Sequence, residues 1–238
     1  MGVTPESKLD VFIEGELINL CVPTREYALT SDWYSWFNDK TTVKYLFQGV
    51  FPNTQEDQLQ FFETLKDRKR LCLIIQRKSN SEYVGVVSLS NLNYQTRSAE
   101  LAIVITSKKG RGREMPLVSL EAIARVSEWG FLEIGLHRIL AGLHRDHEGL
   151  QNRMEIFGFR LEGILRKEFV KGVMVGDVIK IACIKEDYLR ICENRGRYWP
   201  GSDEVMRRIK SLPEATFASR LEQFLKTEGE AYYGQIFG

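Results

Sequence analysis

The chain switches between two hydrophobic periods, and the switch points mark its elements. Residues 15–22, GELINLCV, alternate apolar and polar positions, as a short strand does. Thr30, Ser31 and Asp32 offer caps before WYSWFND, a short helix with Trp33, Trp36 and Phe37 on one side. An aromatic, irregular segment, TTVKYLFQGVFPN, is broken by Gly49 and Pro52. Asn53 or Thr54 then caps a helix, QEDQLQFFETLKDR, whose Leu59, Phe62 and Leu65 recur at helical spacing. From Leu71 the period drops to two: LCLIIQ, YVGVVSLSNL and SAELAIVIT read as three antiparallel strands, with turns at 79–81 and 93–96. A longer helix covers about 113–131, striped by Leu117, Leu120, Ile123, Ala124 and Ser127, with Pro116 compatible only with its first turn. LHRILAGLH is a further strand and LQNRMEIF a short helix that Gly158 stops. FRLEGILRKEFV and VGDVIKIACI close the series as a strand pair turning at Lys171 and Gly172.

This order predicts a mixed α/β fold with a mostly antiparallel sheet. A doubly wound nucleotide fold would alternate strand and helix from the outset. Beyond the strand pair the character changes. NRGR and PGS are loop-like, although DEVMRRIK and ATFASRLEQFLKT can each form a helix. The expected division is a domain over 1–190 and a helical or irregular extension over 191–238, packed on the domain or used to bind a partner.

Composition narrows the function classes. The 238 residues are 43% hydrophobic and 27% charged, ordinary globular material, and the net charge is +1. That balance disfavours a nucleic-acid binder working through a general positive field. Four scattered cysteines form no CxxC pair, no disulfide framework and no metal-ligand spacing, so no metal is expected. The polar start lacks an apolar leader and no run reaches membrane-span length, which sets a cytoplasmic expectation.

One basic segment stands out: KKGRGRE, between the strand ending LAIVIT and the long helix. Helix-entry N–H groups have no intrahelical partners, and the aligned peptide dipoles favour an anion there. Gly110 and Gly112 carry no Cβ to hold a phosphate away, and Lys108, Lys109, Arg111 and Arg113 supply cations. The spacing is neither GxxxxGK[ST] nor GxGxxG, because Met115 stands where a third glycine would be. A solvated turn has the same composition.

The strand–KKGRGRE–helix unit resembles the acetyl-coenzyme A site of the GNAT N-acetyltransferase superfamily, in the branch of ribosomal-protein alanine and amino-sugar N-acetyltransferases. That pattern is Gln/Arg-x-x-Gly-x-Gly/Ala; Ser107 departs from it at the first position, while Gly110 and Gly112 match. SAELAIVI resembles the family's strand with an inward Glu, GFLEIGLHRILAG its helix-to-strand passage, and IFGFRLEGILRK its GF-x-x-EG-x-x-R ending. WFNDKTTVKYL is similar to its N-terminal helix segment.

The resemblance implies acetyl transfer from acetyl-CoA directly to a primary amine. It implies cofactor contacts from Leu101, Ile103, Ile105, Lys108, Lys109, Gly110, Arg111, Gly112, Arg113, Glu114 and His147. Glu100 and His147 are the candidate proton carriers, against an ion pair with Arg97 for the first and a plain helix cap for the second. His144, at the strand end, competes with His147. The tyrosine some relatives carry on the short helix falls near Met154, which cannot donate a proton. Trp33, Trp36, Tyr45, Phe47, Phe51 and Glu100 are expected to shape the acceptor pocket. An amino sugar, nucleotide-linked in one version, is the preferred acceptor, with a protein N-terminal amine next. A non-catalytic acetyl-CoA-binding module is the alternative class, and a homodimer is an assembly the resemblance permits. No nucleic-acid or membrane partner is expected.

Overall fold

Among the described residues of the computed structural model, eight strands pair into one sheet in the order β1-β2-β3-β4-β5-β6-β8-β7. The structure describes residues 8–109, 112 and 114–238. Among β1 (Val11–Glu14), β2 (Ile18–Cys21), β3 (Leu71–Arg77), β4 (Tyr83–Asn93) and β5 (Ser98–Ile105), each successive pair is antiparallel. β5 and β6 (Arg138–His144) are parallel, because the long helix α4 (Met115–Leu132) carries the chain back between them. β8 (Met174–Ile184) lies between β6 and β7 (Arg160–Lys171), antiparallel to both. This is the mixed, mostly antiparallel architecture expected from the sequence.

The period of two divides the core between the sheet's faces. In β3, Leu73 and Ile75 pack with Val118, Leu120 and Ile123 of α4, whereas Cys72 and Ile74 join a second cluster. That cluster holds Tyr27 and Ala28 of α1 (Arg25–Thr30) and Trp33 and Trp36 of α2 (Trp33–Trp36), with Phe61 and Phe62 of α3 (Gln55–Thr64) packed against it. Thr54 starts α3 through a reciprocal capping box with Asp57. The hydrophobic pattern announced neither β1 nor α1. β1 and α1 span four and six residues, too short to display a period.

The expected boundary at 190/191 falls inside α6 (Lys185–Arg195) and is corrected. Tyr198 is fully buried and donates to the Phe157 carbonyl at 2.6 Å, and the Trp199 indole donates to Glu16 at 2.8 Å. Val205 of α7 (Ser202–Lys210) and Ala218 of α8 (Phe217–Phe224) also reach the main core. The loop-like NRGR and PGS stretches concealed these anchors between them. Residues beyond α8, including α9 (Glu230–Phe237), bury no side chain.

α4 also carries a buried carboxylate. Glu121 accepts from the backbone N–H groups of Glu16 at 2.5 Å and Leu17 at 2.7 Å, closing the β1–β2 turn, and Arg125 lies 3.3 Å away. Glu121→Ala leaves both donors unpaired and costs about 3 kcal/mol by urea unfolding, with Glu121→Gln costing less. A loss near zero for the alanine variant would show that the turn does not depend on this carboxylate.

Candidate active site

β5 and β6 pair through three positions, Ser98↔Arg138, Ala99↔Ile139 and Glu100↔Leu140, and then part. β4 continues to hold β5 as far as Ile105, and β8 holds β6 as far as His144. One edge of each strand is thereby left without a strand partner over 101–105 and 141–144. The departure begins beside an irregularity in β4, between Ser90 and Asn93, where Asn91 takes a left-handed φ of 52°. Such a bulge sharpens local twist. Asn91 Nδ2 donates to Glu100 Oε2 at 2.8 Å, tying the bulge to the last β5 residue that pairs with β6.

The gap is a cavity of about 260 Å³. Its walls are 101–105 of β5, 141–144 of β6, Ser119 of α4, and Leu150 and Met154 of α5 (Glu148–Met154); Thr42, Tyr45 and Leu46 close it from the loop after α2. His144 and His147 both face this space. The buried His144 accepts from the Asp146 N–H through Nδ1 at 3.2 Å, which places its proton on Nε2, an atom without a protein partner. Gly176 of β8 leaves room for that ring, since a Cβ there would collide with Nε2.

His147 stands at the N-cap of α5. Burial first, and then the electrostatic influence of the neighbouring His144 and Lys44, holds its pKa below the ordinary imidazole value despite the pull of Asp146. At neutral pH it is an unprotonated base. Tyr45 organises the pair. Its ring stacks on His144 with centroids 4.5 Å apart and meets His147 edge-on at 4.6 Å, and its hydroxyl donates to Asp146 at 2.9 Å.

A second tie joins this loop to the glycine loop. Asp39 Oδ2 accepts from Ser107 Oγ and Thr42 Oγ1, both at 2.5 Å, and from the Thr42 N–H at 2.9 Å. The Ser107 bond first, and then those from Thr42, pull the Asp39 pKa down to about 2. The carboxylate is therefore charged at any working pH. Ser107 thus serves as a brace at the position where a Gln or Arg was expected by resemblance. At the mouth of α4, Glu114 is the N-cap residue, its carboxylate held by Arg77 and Ser79 at 3.3 and 3.2 Å. Gly112 has φ of 124°, and a Cβ there would meet nothing within 4 Å.

The predicted residues distribute unevenly. Leu101, Ile103, Ile105, Tyr45 and His147 come together in the cavity. Lys109 reaches Asp32 at 3.1 Å and lies over the Trp36 ring, while Lys108 is exposed. Gly110, Arg111 and Arg113 lie outside the described residues. Glu100 is exposed and does not line the cavity; Arg97 contacts His137 at 3.3 Å instead of Glu100. Phe47 and Phe51 line a separate cleft of about 400 Å³ with Phe37 and Phe61. The expectation that Trp33 and Trp36 touch an acceptor is corrected, because both are fully buried in the α1–α3 core. Sequence reasoning gave His144 a secondary place and missed Asp39 and Thr42, although the i, i+3 spacing of Asp39 and Thr42 carried a turn signal.

The acetyltransferase (GNAT) domain matches residues 23–160. The chain belongs to this family. YoaA of Bacillus subtilis, an uncharacterized N-acetyltransferase, is 29% identical over 55% of this chain and 72% of its own. The spermidine N(1)-acetyltransferase of Vibrio cholerae is 24% identical over 66% and 87% of the two chains. In structure, V. cholerae spermidine N-acetyltransferase in complex with CoA and spermine superposes with a TM-score of 0.65, at 21% identity over 73% of this chain and 98% of that one. Microcin C7 self-immunity acetyltransferase MccE, in complex with acetyl-CoA and AMP, gives 0.60 at 21% identity over 71% and 93%.

The GNAT protein described here is accordingly an acetyl-CoA-dependent N-acetyltransferase. Its geometry fits that cofactor. The free edges of β5 and β6 offer strand-like pairing to an amide-bearing arm. Among the described residues no helix is long and apolar enough to cross a membrane.

If the glycine loop before α4 holds the coenzyme's diphosphate, Gly112→Asp sets a carboxylate beside it. It weakens acetyl-CoA binding by calorimetry about tenfold more than Gly112→Ala, which shares its backbone strain without the charge. Equal affinities for the two variants would remove the loop from the site.

Proposed function

We propose that this GNAT enzyme acetylates a primary amine carried on a ring-bearing small molecule, an amino sugar in free or nucleotide-linked form, in preference to a polyamine. The observation that carries the reading is the scarcity of carboxylates. Among the described residues lining the two clefts, Asp57 is the only one, and its Oδ2 is engaged by the Thr54 N–H and hydroxyl at 2.8 and 2.7 Å. A polyamine brings several ammonium groups, and each one desolvated without an anion costs several kcal/mol. Phe47, Phe51 and Phe61 instead offer ring faces beside the cavity.

Acetyl-CoA supplies an acyl thioester that a neutral amine can attack. The chain's own task is to take the ammonium proton, exclude water and hold the amine. His147 is the proposed base, since its lowered pKa leaves it unprotonated at neutral pH. His144 lines the same cavity, but its Nε2 is buried beside Gly176, so its part is to shape the wall that faces His147. Leu101, Ile103, Leu150 and Met154 keep the space dry. Glu100, held by Asn91, is proposed as a brace for the bulge that opens the slot.

Two measurements test this. Across amino sugars, nucleotide-linked amino sugars, spermidine and peptide N-termini, the best amino sugar exceeds spermidine in kcat/KM by about tenfold or more; spermidine or a peptide in first place would overturn the acceptor class. Because the His147 pKa is depressed, kcat falls only as pH drops through an inflection on the acid side of the ordinary imidazole value. His147→Gln removes that inflection and lowers kcat about 10²-fold. An unchanged profile would return His147 to a capping role.

A further inference from the structure

We propose that Lys171 is a positioning residue for the transfer site: by gathering three main-chain carbonyls of the 43–48 loop, it holds Tyr45 against His144 and His147. Lys171 is the last residue of β7, paired with Met174 across the hairpin turn. Its Nζ donates to the carbonyls of Val43 at 2.7 Å, Leu46 at 2.9 Å and Gln48 at 2.5 Å. An ammonium has three N–H donors, and here each has its own acceptor. Among the described residues no carboxylate pairs with it, so its bonds are spent on loop geometry. Burial first, and then the charge of Lys40, push its pKa down, as befits an ammonium held by dipoles alone.

The three carbonyls bracket Tyr45 and Phe47, the two rings that reach β-sheet residues. Tyr45 stacks on His144, and Phe47 lies 5.2 Å from Phe169, two residues before Lys171. The loop has little else to hold its far half. Its internal backbone bonds are Val43 N–H to Asp39 O, Lys44 N–H to Thr41 O and Leu46 N–H to Val43 O, and its near end is tied through Thr42 to Asp39 and Ser107. Removing the ammonium leaves the Leu46 and Gln48 carbonyls without this donor, and the ring of Tyr45 loses its fixed approach to the imidazoles. Small displacements of a positioning group cost large factors in rate.

The inference rests on this cavity being the transfer site, and its test is independent of the acceptor. The chain has three histidines, so labelled-histidine NMR of the acceptor-free protein reads His137, His144 and His147 separately. Lys171→Met shifts the ring-proton signals of His144 and His147 as the Tyr45 ring current is lost, while His137, at the opposite end of β6, stays fixed. Lys171→Arg restores most of the shift. With whichever amine the wild type accepts, Lys171→Met lowers kcat about tenfold, keeps the acetyl-CoA Kd within about threefold, and costs far less in a Tyr45→Leu background. Unmoved His144 and His147 signals, or additive losses in the double variant, would overturn the proposal. If the methionine variant does not fold, Lys171→Gln carries the same comparison, judged by the same two imidazole signals.

Discussion

The parting of β5 from β6 after Glu100 and Leu140 is the constraint on which the site depends. A continuous sheet would satisfy every backbone group of both strands and leave no room between them. Here each strand keeps one partner, β4 or β8, and gives up the other. The bulge at Asn91 and its bond to Glu100 mark where the sheet stops being continuous. The resulting cavity has apolar side walls and exposed main-chain edges, a combination suited to a long, amide-bearing cofactor arm.

The proposed proton chemistry is built on top of that opening by residues from distant parts of the chain. Tyr45 arrives from the loop after α2, His144 from the end of β6 and His147 from the start of α5. Each is held by something unlike the others. Asp146 anchors the Tyr45 hydroxyl, Gly176 gives His144 its space, and burial keeps His147 neutral. The Asp39–Thr42–Ser107 cluster joins this assembly to the segment entering α4.

Much of the fold was legible because long periodic segments state their environment. β3 to β6 and α4 follow the hydrophobic alternation or stripe almost residue for residue, and Thr54 announces α3 through its capping pattern. β1 and α1 were too short for that signal. Trp33 and Trp36 show the opposite failure, since an aromatic pair in sequence looks the same in a pocket wall and in a core. Of the site, the β5 residues, Tyr45 and His147 were legible through resemblance and order along the chain. Lys171 was not, because its acceptors lie more than 120 residues away and are main-chain carbonyls, which no side-chain pattern records. The burial of Tyr198 and Trp199 was hidden for a related reason: glycine-rich flanks mark a turn and say nothing of the anchors between them.

The most direct test of the central claim is hydrogen–deuterium exchange with and without coenzyme A. If the parted strands form the cofactor slot, protection rises in peptides covering 101–105 and 141–144 and at the start of α4, while β1, β2 and β7 exchange as before. Protection gained elsewhere, with those two strand segments unchanged, would contradict it.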